Sequence, residues 1–197
     1  MLKTPYFLID EAKIQANCQI LRDVMDKTGA KILLAQKAYS IYQTYPLIGK
    51  YLSGTTASGL YEAKLGHEEM GGETHVFSLG YDEDTFDELL TYVDHISFNS
   101  FSQWEKYKER ALSRHISCGL RVNPAFSTQD GHEIYDPCAS GSRLGILKNE
   151  FVGKNLEGIE GLHFHTLCEQ NAEPLKATLE VIERDFGELL HQMKWLN

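Results

Sequence analysis

The sequence predicts an α/β protein whose parallel strands wind into a (β/α)8 TIM-like barrel, carried here through about six strand–helix units where eight close the fold. Three observations predict it. Short apolar runs alternate with amphipathic stretches along the whole chain, and parallel neighbours need a crossover of that length. Lys37, Ser58, Asn99, Arg121, Asn123 and His165 all fall at or just past the C-terminal ends of predicted strands. A barrel gathers those ends into one mouth, where active sites lie. Finally, no GxGxxG follows the first strand, so an open dinucleotide-binding sheet loses its main support.

Each element has its own justification in the residue pattern. Tyr6–Asp10 reads as a strand, and Ala12–Lys27 as a helix with Ile14, Cys18, Leu21 and Met25 three or four apart. Lys31–Ala35 is an apolar strand, and the spacing predicts a helix over Ser40–Tyr51. Thr55–Ala57 is a short strand; Ser58 suits the N-cap of a helix that runs to Met70 and stops at Gly71-Gly72. His75–Leu79 is a strand, followed by a helix over Asp82–Thr91 with an acidic first turn. His95–Asn99 leads into a helix opened by Ser100–Trp104. Cys118–Asn123 is a strand broken by Pro124, and a long Gly-, Pro-, Ser- and Asp-rich loop runs to about Ser142. Gly158–His165 is the last predicted strand and Glu173–Lys194 the last helix.

Composition narrows the function classes. The 197 residues carry 19 Lys and Arg against 28 Asp and Glu, a formal net charge of −9, which argues against a general nucleic-acid binder and favours cationic partners. The 42% hydrophobic content is enough for a packed core. No apolar run approaches the length of a membrane span, and no signal-peptide pattern opens the chain. Cys18, Cys118, Cys138 and Cys168 are scattered without a CxxC pair, as expected of cytoplasmic thiols.

Three positions stand out chemically. Lys37 lies just past an apolar strand, where partial desolvation would favour a nucleophilic amine; a snorkelling strand-end lysine is the plainer reading. His163 and His165 share one face of a strand, since side chains repeat with period two. They could be a metal pair, a ring for a cofactor to lie on, or hydrogen-bonded core histidines. No other strand end supplies a His or Asp ligand, so no metal is expected. Arg121 sits inside an apolar strand and must find an acceptor: a phenolate or carboxylate at the mouth, or a structural ion pair. The loop Tyr135–Gly145 is too long for a simple connector, and ordered loops of that length are often functional.

Together these segments resemble the fold-type III pyridoxal-phosphate-dependent decarboxylases, the alanine racemase/ornithine decarboxylase type of barrel. Thr4–Asp10 resembles their opening strand, Leu33–Ala38 the cofactor-lysine segment, and Leu120–Pro124 and Gly161–His165 two later barrel strands. Within the group, Tyr135–Gly145 and His163–Gln170 are most similar to the carboxynorspermidine/carboxyspermidine decarboxylase family. The resemblance implies pyridoxal 5'-phosphate as cofactor, Lys37 as its Schiff-base lysine, His165 stacked on its ring and Arg121 near its phenolic oxygen. Leu167-Cys168 stand where relatives have a Gly-Ser pair. It also implies a carboxy-lyase of polyamine biosynthesis acting on a small cationic carboxylated polyamine, a homodimer, without nucleic-acid or membrane partners. Residues 1–197 would be the N-terminal part of the barrel domain, with residues 5–10 associating with a C-terminal β domain that this sequence lacks. The phosphate loop and the pyridine-nitrogen partner would likewise lie downstream, leaving this stretch inactive alone. A diaminopimelate-type decarboxylase and a non-catalytic pyridoxal-phosphate carrier are the alternatives.

Overall fold

The computed structural model describes residues 3–129, 131 and 133–197, and of Glu133 the backbone alone. The chain order is α1 (Glu11–Thr28), β1 (Leu33–Ala35), α2 (Tyr45–Ile48), β2 (Gly54–Ala57), α3 (Leu60–Glu69), β3 (Glu73–Phe77), α4 (Phe86–Leu89), β4 (His95–Phe98), α5 (Phe101–Ser113), β5 (Ser117–Asn123), β6 (Ile146–Leu147), β7 (Ile159–His163), α6 (Ala172–Leu190) and β8 (Trp195–Leu196). The strands pair in parallel in the order β1-β2-β3-β4-β5-β7-β8, with β6 added to the C-terminal end of β5. Strand order that follows chain order, with helices between, is the winding of a (β/α)8 barrel. Among the described residues β1 and β8 each pair on one side only, so the barrel stands open between them.

Alternation along the strands builds the core. Val76, Ile96, Phe98, Leu120, Val122 and Leu162 are buried, packed in one cluster with Trp104, Tyr107 and Ala111 of α5 and Ile182 and Phe186 of α6. Those helix positions recur at three- and four-residue intervals, one stripe of an amphipathic helix. The opposite strand faces point into the barrel. There the Trp195 ring lies across Gly119 and Gly161; a Cβ at either glycine would come within 2.2 Å or 2.0 Å of it. Its indole N–H donates to Ser117 Oγ at 2.9 Å, which fixes the ring on the inner floor.

Several predicted elements come out differently. Tyr6–Asp10 forms no strand: it pairs with no other strand, Phe7 is fully exposed, and Asp10 instead caps α1 by accepting from the Lys13 N–H. The helix expected over Ser40–Tyr51 shrinks to a 3-10 turn at Tyr42–Thr44 and α2. Pro46 lacks an N–H and sits in the first turn of α2, while the Thr44 hydroxyl bonds back to the Ile41 carbonyl. The helix expected from Asp82 to Thr91 is only α4, because Asp82 accepts from Asp84 N–H and from the Thr85 hydroxyl and holds a turn. The N-cap of α3 is Gly59 rather than Ser58. The last helix ends at Leu190 rather than Lys194, and Trp195–Leu196 adds a short strand where no element was expected.

Candidate functional site at the C-terminal strand ends

Lys37 is placed by its neighbour. β1 runs into a turn in which Ala38 and Tyr39 N–H both donate to the Ala35 carbonyl. Gln36 is buried inside that turn: its Nε2 donates to the carbonyls of Thr56 (3.2 Å) and Glu62 (2.8 Å), and its Oε1 accepts from the Tyr45 hydroxyl. With Gln36 locked inward, Lys37 projects from the turn into a cleft. The lysine is exposed rather than partly desolvated, because β1 is an edge strand whose inner face meets solvent. Glu62, on α3, accepts from the Ser58 N–H at 2.7 Å and so shapes the next strand end.

The cleft holds about 500 Å³, and Lys37, Ser58, Phe77, Arg121, His165 and Thr166 contribute to its wall. Lys37, Arg121 and His165 therefore reach one cavity, whereas His163, singled out beside them, is not on its wall. Arg121 is 4% exposed. Its Nη2 donates to the His165 carbonyl at 3.1 Å, and its guanidinium lies 4.6 Å from the centre of the Phe77 ring. Among the described residues no carboxylate comes within ion-pair distance of it, so the structural ion pair considered from sequence is not what satisfies this side chain. Burial draws its pKa down to about 10, and burial pushes the nearby Cys138 thiol up to about 11, so Cys138 is not its counter-ion at neutral pH.

The two histidines separate. β7 ends at His163, whose ring stacks on Phe77 at 5.1 Å and 15°, and burial, then Arg121 and His165, hold its pKa down at about 3. His165 lies beyond the strand, on the cleft wall. Its pKa is lowered first by burial and then by the Arg121 and Lys37 cations, so all three residues share one electrostatic environment. The neighbouring Thr166 Oγ1 is buried without a hydrogen-bond partner.

Two strand-end asparagines roof the cleft by clamping the loop after β5. Asn123 Nδ2 donates to the carbonyls of Pro137 (3.3 Å) and Leu144 (3.1 Å), and its Oδ1 accepts from the Ala125 N–H. Asn99 Nδ2 donates to the Arg143 carbonyl, and its Oδ1 accepts from the Gly145 N–H. Gly145, at φ +87°, passes so close that a Cβ would meet the Val122 carbonyl carbon at 2.9 Å. The clamped loop brings Tyr135, Asp136 and Pro137 to the cleft. The sequence marked the asparagines as strand-end residues and the loop as functional; Phe77, Gln36 and Thr166 went unmarked, since their roles depend on cross-strand register.

A cavity walled by an amine, an imidazole and a buried guanidinium without a paired carboxylate fits an anionic, flat, carbonyl-bearing cofactor such as pyridoxal phosphate, and the orphaned Thr166 hydroxyl offers such a group a further hydrogen bond. Fold and site together define part of a (β/α)8 barrel of parallel strands, with an amine, an imidazole and a guanidinium converging at the C-terminal strand ends. Over its full length the chain is 42% identical to the carboxynorspermidine/carboxyspermidine decarboxylase of Campylobacter jejuni, covering 50% of that protein, and 37% identical to the carboxyaminopropylagmatine decarboxylase of Synechocystis, again covering 50%. Among solved structures, carboxynorspermidine decarboxylase from C. jejuni, complexed with norspermidine, aligns over all of this chain and 50% of its own, with a TM-score of 0.89 and 40% identity. The arginine decarboxylase of Paramecium bursaria Chlorella virus, at 14% identity and a TM-score of 0.67, shares the fold over 89% of this chain and 48% of its own. No protein-family model matches the chain. The chain spans about half the length of the curated relatives it matches.

Proposed function

We propose that this chain carries the cofactor-lysine half of a pyridoxal-phosphate-dependent carboxy-lyase of polyamine biosynthesis, acting on carboxynorspermidine or carboxyspermidine. The observation that carries the proposal is the convergence of Lys37, Arg121 and His165 on one cavity at the C-terminal strand ends, in a chain 42% identical over its whole length to such a decarboxylase. When bound, the cofactor supplies an electron sink for the pair released as the carboxylate leaves. Lys37 holds it covalently through its amine, and Arg121 offers a fixed positive charge to its anionic edge. The His165 ring gives it a flat apolar contact, and Thr166 Oγ1 a hydrogen bond. The Tyr135–Gly145 loop limits water access from above, and Asp136 brings a carboxylate to the wall that a polycationic substrate meets.

The Synechocystis relative supports a second substrate reading at nearly the same identity, a carboxylated aminopropyl agmatine. Cytoplasmic placement belongs to the same reading and is supported by four free cysteines; homodimerisation rests on the resemblance alone.

The open barrel bears on activity. The unpaired edges of β1 and β8 and the exposed Tyr6, Phe7 and Leu8 invite further strands. We therefore expect residues 1–197 alone to self-associate in light scattering and to release no CO2. With the remaining strands supplied, in the same chain or a second one, CO2 release from carboxynorspermidine, carboxyspermidine and carboxyaminopropylagmatine ranks the substrates. A monodisperse, active 197-residue monomer contradicts the proposal, as does a completed barrel that decarboxylates none of the three.

A further inference from the structure

The N-terminal ends of β3 and β4, at the opposite end of the strands from Lys37, hold a second cluster of chemistry-bearing side chains. Glu73 and His75 are two residues apart on β3 and so face the same way, and His95 of β4 is the register partner of His75. His75 Nε2 stands 3.1 Å from Glu73 Oε2 and 2.9 Å from His95 Nδ1. One donor atom from each of the three lies within 4.8 Å of the other two. A single imidazole nitrogen thus faces both a carboxylate oxygen and a second imidazole nitrogen, with one proton at most to share between them. A cation at that point would satisfy all three lone pairs at once.

The donor set is chemically specific. Two imidazoles and a carboxylate suit borderline divalent ions, and a tetrahedron built at about 2.0 Å from the metal has edges of about 3.3 Å, a few tenths longer than the separations seen. Trp195 packs beside the cluster, its ring 5.4 Å from that of His95. One feature opposes a cation: the Lys31 ammonium pairs with the other oxygen of Glu73. Lys31 is largely exposed and can swing into water.

We propose that Glu73, His75 and His95 form a metal site for one borderline divalent cation of the Zn2+ type, bracing β3 against β4, with Lys31 as the competitor that the metal displaces. The site is separate from the Lys37 cleft and does not depend on the function proposed for it.

The test is Co2+ titration of the tag-free purified protein, read by visible d–d absorption and by quenching of Trp195 fluorescence. One equivalent is expected, with a tetrahedral spectrum. His95→Gln should weaken binding by at least about tenfold to a hundredfold, the loss that follows removal of even an outer-shell partner. Lys31→Gln should tighten it about twofold to fivefold, the worth of one exposed ion pair. His191→Ala, which removes an exposed pair between the C-cap of α6 and Glu183, should change nothing. If His95→Gln fails to fold, Lys31→Gln still decides. Absence of a saturable signal, undiminished binding by a folded His95→Gln, or equal or weaker binding by Lys31→Gln overturns the proposal.

Discussion

Removing the Asn123 side chain should loosen the roof of the cleft by an amount the hydrogen bonds set. Asn123→Ala deletes three contacts, to the Pro137 and Leu144 carbonyls and from the Ala125 N–H. The Pro137 carbonyl keeps a partner in the Ser142 hydroxyl at 2.6 Å, so two groups lose theirs. At about 1 kcal/mol net for each, the loss is about 2 kcal/mol. Asn99 still holds Arg143 and Gly145, so the cost falls on opening of the loop rather than on unfolding of the chain. An opening equilibrium shifted by 2 kcal/mol lowers the exchange protection of loop amides between Cys138 and Leu144 about thirtyfold. Hydrogen exchange followed by mass spectrometry reads this directly, and retention of pyridoxal phosphate should fall with it. Asn123→Asp sharpens the test: it keeps the bond from Ala125 but turns a carboxylate oxygen on two carbonyls, so it should be at least as damaging despite its matching size. Unchanged protection in Asn123→Ala, or an Asn123→Asp that behaves as wild type, would refute the clamp.

Three further outcomes follow from the same geometry. His165→Ala should weaken cofactor retention while His165→Phe restores part of it through ring contact, as measured by equilibrium dialysis; His163→Ala proving the more damaging would show that the wrong histidine faces the cofactor. Gly161→Ala forces a Cβ to within 2.0 Å of the Trp195 ring, so it should cost about 1–3 kcal/mol in urea unfolding and shift the tryptophan emission; a change under about 0.5 kcal/mol contradicts the packing. His95 and His163 titrate near 4 and near 3 when folded, against about 6.5 unfolded. Protons therefore favour the unfolded chain, and stability present above about pH 6.5 should be lost as pH falls towards 4 and then 3. His95→Gln should flatten the upper part of that decline in urea midpoints, and a flat wild-type profile from pH 7 to 4 would contradict it.

The order of elements was legible because each strand and each helix announces itself by its own period. Lys37, Ser58, Asn99, Arg121, Asn123 and His165 could be marked as a set because a parallel barrel puts every strand's C-terminal end at one mouth, whatever the register, and only the family resemblance picked Lys37, Arg121 and His165 out of that set. What escaped depends on pairs of residues far apart in sequence. Glu73 and His75 show their shared face in the order Glu-Thr-His, but their meeting with His95 needs the β3–β4 register, which periodicity does not carry. Trp195, just past the predicted last helix, shows no strand signal of its own; its place depends on two distant glycines, Gly119 and Gly161, whose missing side chains make room for it. Tyr6–Ile9 has the composition of a strand and no partner strand beside it, so propensity alone gives the wrong answer there.

The central claim is that the exposed amine of Lys37, and no other, carries the cofactor. Incubation of the barrel-complete protein with pyridoxal phosphate, borohydride reduction and peptide mapping tests it most directly. The account predicts a single pyridoxyl label on Lys37, diminished when Arg121 is replaced by Gln. A label on Lys31, which faces Glu73 at the other end of β1, or on Lys50, just after α2, would contradict it.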